Sequence, residues 1–181
     1  MSASAEQLLA ALGGPVLTLA TLPPARDCPV ELTRVVEHFD AGDGAAARAS
    51  AGWLRESALH EHGSARTYVW LGGDRLHGFF AISVGTAKLE DEELVRLHAR
   101  PRPLPAVLLA QAARNPAGSL APGAILTGAL GVAQRIAQLG GVAALVLDPF
   151  DEATSLMWQR RGFQPTSDKP RGGRQRLWRA L

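Results

Sequence analysis

The chain has 181 residues, 46% of them hydrophobic and 20% charged, a balance that suits one compact domain with a full core and excludes a disordered or fibrous protein. Cys28 is the only cysteine, which excludes an internal disulfide and makes a reducing cytoplasm the expected compartment. The formal net charge of +2 is small, but the basic residues behind it are unevenly placed.

In chain order, AEQLLAAL (5–12) reads as a helix and VLTLATL (16–22) as a strand, followed by the loop PPARDCP that holds the cysteine. The apolar run from Leu8 to Leu22 has the length of a secretion-signal core. Glu6 precedes it, no Lys or Arg does, and Gly13-Gly14-Pro15 interrupts it, so a short helix followed by a strand is preferred over export. The run is too broken for a membrane span. SAGWLRESALHE (50–61) places Trp53, Leu54, Ala58 and Leu59 at helical spacing. RTYVWL (66–71) and RLHGFFAISV (75–84) are β-branched and aromatic, and the turn residues GGD join them as an antiparallel hairpin.

After the acidic run Glu90 to Glu93, read as a solvated helix start or loop, and the Pro-rich RPRPLP comes the apolar strand AVLLAQAA (106–113). The loop NPAGSLAPG leads into ILTGALGVAQRIAQLGG, where Ile125, Ala129, Val132, Ala133, Ile136 and Ala137 form one stripe, and Gly140-Gly141 stops the helix. VAALVLD (142–148) is apolar on both faces, as a strand covered by helices must be. DPFDEATSLMWQRRGF (148–163) is a strand end, an N-cap at Asp151 with Thr154 three residues on, and a helix stopped by Gly162. QRLWRAL (175–181) is a last strand. The order implies an α/β fold, helices flanking a mixed sheet, in a single domain over 1–181.

The order strand, loop, long helix, apolar strand and DEATSLMWQRRGF resembles the second half of a GNAT acyl-CoA N-acyltransferase. GWLRESALHEHGSARTYVWLGGDRLHGFFAISVG is similar to the toxin-type branch, the acetyltransferases of toxin and antitoxin pairs. The likeness runs from about Phe39 to Leu181; residues 1–38 lie outside it. It implies a mixed, mostly antiparallel sheet and transfer of an acetyl group from acetyl-CoA, or another acyl-CoA, to a primary amine. For the toxin-type branch it implies the amino group of an aminoacyl-tRNA as acceptor and an antitoxin as partner, and dimerisation is common in the family.

The same resemblance assigns residues. In the family, backbone N–H groups of the fourth strand hold the thioester carbonyl and the pantetheine arm, which here falls to Gln111, Ala112 and Ala113; an ordinary buried strand explains these residues as well. The pyrophosphate loop needs small residues so that backbone N–H groups and a helix N-terminus can reach two phosphates. The corresponding RNPAGSLAPGAIL is degenerate: Pro122 has no N–H, and Gly118, Ser119, Gly123 and Ala124 are left as donors. Asp151 stands where the family often has Asn. Trp158 stands where the family keeps a tyrosine beside the CoA sulfur as general acid, and an indole N–H has no usable proton at neutral pH. A positioned general acid contributes about 10² to 10⁴ in rate. A thiol leaving group with pKa about 8.5 needs little of that help. Trp158 is therefore either a wall at the sulfur end or a core aromatic.

His60 and His62 lack the spacing and third ligand of a metal site, so no metal is expected. Arg160, Arg161, Lys169, Arg171, Arg174, Arg176 and Arg179, with only Asp168 opposing, are either a solvated edge or a patch for CoA phosphates or an RNA backbone. Two functions stay open: acyl-CoA-dependent N-acetylation with a degraded site, and a non-catalytic GNAT-like module that binds a protein or RNA partner.

Overall fold

The computed structural model describes residues 4–59, 65–100, 103–170 and 172–181. Seven strands form one sheet in the order β1-β2-β3-β4-β5-β7-β6, with helices flanking it, and the chain divides into two compact units. The mixed, mostly antiparallel sheet that the resemblance implied is the one that forms. β4 and β5 are its parallel pair, and β1–β2, β5–β7 and β6–β7 are antiparallel.

The first unit draws on Met1–Ala81 and Gln111–Leu126. It holds α1 (Ala5–Gly13), β1 (Thr18–Thr21), a 3-10 turn (Ala25–Asp27), α2 (Val30–Glu37), α3 (Ala45–Glu56), β2 (Ala65–Gly72), and the adjoining parts of β3 (Arg75–Ala87), β4 (Leu104–Arg114) and α5 (Ala124–Leu139). Ser4 and Gln7 cap α1 reciprocally, and the Leu8 to Leu22 run divides into α1 and β1. The helix expected over 50–61 begins five residues earlier and ends at Glu56, because alanines, the best helix formers, extend it back to Gly44. β2 and β3 meet as the hairpin read from GGD. Gly73 (φ 54°) and Asp74 (φ 58°) take the two left-handed positions of a type I′ turn, the turn whose twist matches the strands. Phe79 centres this unit's core, edge-on to Phe39 at 5.5 Å and stacked on Trp53 at 6.2 Å.

The second unit draws on Ile82–Ala110 and Thr127–Leu181. It contains the rest of β3, β4 and α5, with α4 (Asp91–Arg96), β5 (Ala144–Leu147), α6 (Glu152–Gln159), β6 (Gln164–Pro165) and β7 (Leu177–Ala180). The acidic run becomes a helix start: Glu90 caps α4 and Glu93 reaches back to the Glu90 N–H. β5 is buried along its whole length, as its apolar sequence requires, and α5 buries Ala129 and Ala133 in the expected stripe. β6 escapes sequence reading because it is two residues long. Arg176 grips Asp148 with two bonds, 2.7 and 2.6 Å, and donates to the Thr86 carbonyl, pinning the end of β5. The carboxylate beside it raises the Arg176 pKa.

Candidate functional site

In the first unit, β4 delivers Gln111, Ala112 and Ala113 to its C-terminal end. Gln111 and Ala112 are half-buried and Ala113 is buried. The Ser50 hydroxyl of α3 donates to Gln111 Oε1 at 3.1 Å, which fixes the carboxamide.

The loop after β4 is closed by its own hydrogen bonds. Asn115 Oδ1 accepts the Ala117 N–H at 2.9 Å, an Asx turn, and the Asn115 carbonyl accepts the Gly118 N–H at 3.0 Å. Ser119 donates its N–H to His77 Nδ1 at 3.0 Å, and His77 Nε2 meets the Gly72 carbonyl at 3.0 Å. A carbonyl can only accept, so Nε2 carries the proton and the imidazole is neutral, bridging hairpin and loop. Arg114 spans the loop to the Leu120 carbonyl at 3.2 Å. Leu120 lies over Gly78, where an added Cβ would stand 2.8 Å from Leu120 Cδ2 and 3.1 Å from the Ala113 carbonyl oxygen.

Pro122 has a structural place here. Ala121 accepts the Ala124 N–H at 3.1 Å and Gly123 has φ 87°, so Ala121-Pro122-Gly123-Ala124 is a type II turn with proline and glycine at the positions it favours. That turn launches α5. Of the four expected phosphate donors, Gly118, Ser119 and Ala124 already bond within the chain. Among the described residues the Gly123 N–H has no partner, and those of Ile125 and Leu126 lie in the first turn of α5, where no intrahelical acceptor exists.

In the second unit, Asp151 caps α6 as expected. Its carboxylate accepts the Thr154 N–H and hydroxyl at 2.8 Å each, and these bonds hold its pKa below the usual carboxylate range. α6 ends in a Schellman motif: Phe163 N–H reaches the Trp158 carbonyl, Gly162 N–H reaches Gln159, and Gly162 has φ 86°. Half-buried Trp158 stands edge-on to buried Phe163 at 5.4 Å, with the Arg161 guanidinium 5.9 Å from its ring centre. The only tyrosine, Tyr68, is stacked on Phe80 at 4.9 Å in the first unit.

The basic tail is partly tied down. Arg161, Arg174 and Arg179 donate to the carbonyls of Met157, Phe150 and Arg161, and Arg176 belongs to Asp148; Arg160 and Lys169 are exposed. Arg171 and the pair His60 and His62 lie outside the described residues. Among the described residues no cluster of His, Cys, Asp or Glu has metal-site geometry, and no helix is long and apolar enough to cross a membrane.

Sequence reading missed His77, Ser50, Arg114 and Asn115. The Asn-Pro pair was a legible turn signal for Asn115, whereas a histidine within an apolar strand carries no pattern that announces a loop contact.

No protein-family model matches the sequence, and no curated protein matches it. Solved structures do. A Tyr-to-Phe mutant of KacT superposes with a TM-score of 0.70 at 18% identity, over 91% of this chain and 94% of that one. AtaT complexed with acetyl-methionyl-tRNAfMet gives 0.69 at 15%, over 91% and 95%. A Tyr-to-Phe mutant of the AtaT toxin, bound to the C-terminus of the antitoxin AtaR and acetyl-CoA, gives 0.62 at 16%, over 91% and 93%. What is shared at these identities is the GNAT fold alone.

Proposed function

We propose that this protein is an acyl-CoA-dependent N-acetyltransferase acting in the cytoplasm on a primary amine, with the amino group of an aminoacyl-tRNA as acceptor. The observation that carries the reading is the path from β4 through a glycine turn into α5, which leaves the Gly123 N–H and the first turn of a 16-residue helix open to an anion. Pyrophosphate binds there. Gly118, Ser119 and Ala124 shape the loop rather than donate, and the backbone at Gln111, Ala112 and Ala113 holds the pantetheine arm and thioester carbonyl. A structural neighbour bound to acetyl-CoA and another bound to an acetylated aminoacyl-tRNA support the cofactor and acceptor classes.

Trp158 supplies no proton, so the thiolate leaves without a protein acid, a loss that a leaving group of pKa about 8.5 tolerates at reduced rate. The amine attacks the thioester carbon, the C–S bond breaks, and water takes the amine proton and protonates the sulfur. An antitoxin and a second copy of the chain are the partners this reading implies.

The second reading is a binding module without acyl transfer. It is favoured by Trp158, packed on Phe163 where a phenol would be needed, and by the three loop N–H groups already engaged. The assay that separates the two incubates protein with labelled acetyl-CoA and charged tRNA, with uncharged tRNA as control. Label carried into charged tRNA alone supports acyl transfer; unchanged acetyl-CoA with retained tRNA binding supports the module.

A further inference from the structure

The first unit contains a cavity of about 400 Å³ whose lining includes none of the residues assigned to acyl-CoA. One wall is the face of α2 left over from the core. Leu32 and Val36 turn inward, while Glu31, Arg34, Val35 and His38 recur at i, i+3, i+4 and i+7 along the cavity. Asp74 and Arg75 of the β2–β3 turn line it as well. That turn is anchored: the Gly73 N–H bonds the Gly14 carbonyl and the Asp74 N–H bonds the Leu12 carbonyl, both at 2.9 Å. The apolar part of the lining is Leu12 (5% exposed), Phe39 (2%) and Leu76 (2%). Asn115 also lines the cavity. Its Oδ1 is taken by Ala117, which leaves the NH₂ as a donor.

Neither guanidinium and neither carboxylate is in an ion pair among the described residues. His38 Nδ1 donates to the Arg34 carbonyl at 2.7 Å, which leaves Nε2 for a ligand. α2 and the turn therefore each contribute one cation and one anion to a lining that also holds apolar side chains. From Glu31 to His38 the polar groups extend over about 10 Å of helix at 1.5 Å per residue. An amino acid carries both charges on one carbon and cannot reach along such a row. A nucleotide can: its base is apolar on its faces and polar on its edge, and its phosphate is several bonds away.

We propose that this cavity is a binding site for a purine nucleotide. The base rests on Leu12, Phe39 and Leu76, a carboxylate of Glu31 or Asp74 accepts from its amino edge, and Arg34, Arg75 and the Asn115 NH₂ hold the phosphate. A volume of this size is at the small end of ligand sites and fits one nucleotide. Asn115 is two residues past Ala113, about 7 Å along an extended chain. The nucleotide is therefore either the 3′ end of the RNA acceptor, a source that rests on the acyl-transfer reading, or a free purine nucleotide, which does not.

The test titrates AMP, the trinucleotide CCA, adenosine, inorganic phosphate and methionine into the purified protein, with and without saturating acetyl-CoA, reading melting temperature and heat. AMP is expected to bind more tightly than adenosine or phosphate alone, and acetyl-CoA should leave its affinity unchanged. The double variant Arg34→Gln/Arg75→Gln, which alters only exposed side chains, should lose at least about tenfold in AMP affinity at an unchanged melting temperature without ligand. CCA binding tenfold tighter than AMP assigns the site to an RNA end; equal or weaker CCA binding assigns it to a free nucleotide. The proposal is overturned if neither AMP nor CCA binds at millimolar concentration, if the double variant binds AMP normally, if acetyl-CoA displaces AMP, or if methionine binds in their place. Acetyl-CoA binding is read in the same titrations, so a failed nucleotide site is distinguished from a failed acyltransferase.

Discussion

Substituting phenylalanine for His77 tests whether the loop after β4 is held from the hairpin. His77 is 6% exposed, and its two nitrogens bond the Gly72 carbonyl and the Ser119 N–H, both at 3.0 Å. Phenylalanine keeps a ring of similar size and removes both contacts. Two hydrogen bonds at about 1 kcal/mol each give a loss near 2 kcal/mol. In a chain of 150–250 residues each kcal/mol moves the melting temperature by about 2–4 °C, so a fall of roughly 4–8 °C is expected by scanning calorimetry. The loop leads into the turn that presents Gly123 and α5, so acetyl-CoA should also bind more weakly when titrated against the variant. A melting point within 1 °C of the parent together with unchanged acetyl-CoA affinity would refute the clamp.

Trp158→Tyr restores a phenolic proton donor; if the position lies at the reacting sulfur, acetyl transfer followed by CoA release should rise at least about tenfold, within the range of a positioned acid, whereas an unchanged rate makes Trp158 a packing residue. Trp178→Phe removes a buried indole N–H that has no partner among the described residues, and this offsets the lost packing, so chemical denaturation should place the variant within about 1 kcal/mol of the parent. Asp151 has a depressed pKa in the fold, so its contribution to stability is present above the ordinary carboxylate value and is lost as pH falls through the folded value. Asp151→Asn keeps an acceptor for the cap, and its melting temperature should depend less on pH than the parent's between pH 5 and pH 2, about the range where such a carboxylate titrates.

The order of strands and helices was legible where one period dominated. The stripe of α5, the two-faced apolar β5 and the GGD hairpin each gave a single answer. α2 was not legible because only Leu32 and Val36 mark its buried face, and the start of α3 was misplaced because alanines carry propensity without periodicity. The helix cap at Asp151 could be read because its partner is three residues away. The bonds that shape the candidate loop could not: His77 to Ser119 spans 42 residues and Ser50 to Gln111 spans 61. Pro122 looked like damage to a phosphate site in the sequence, yet it occupies the position a type II turn prefers. Of the engaged loop N–H groups, those of Gly118 and Ala124 bond within local turns, and only that of Ser119 depends on a tertiary contact.

On the reading proposed above, the end of β4 and the start of α5 bind an acyl-CoA. Acetyl-CoA titrated to about a hundred times its dissociation constant should stabilise the fold by roughly 2.7 kcal/mol. At the scaling above, that is a rise of about 5–11 °C in melting temperature. No rise at millimolar acetyl-CoA, with the protein otherwise folded, contradicts it.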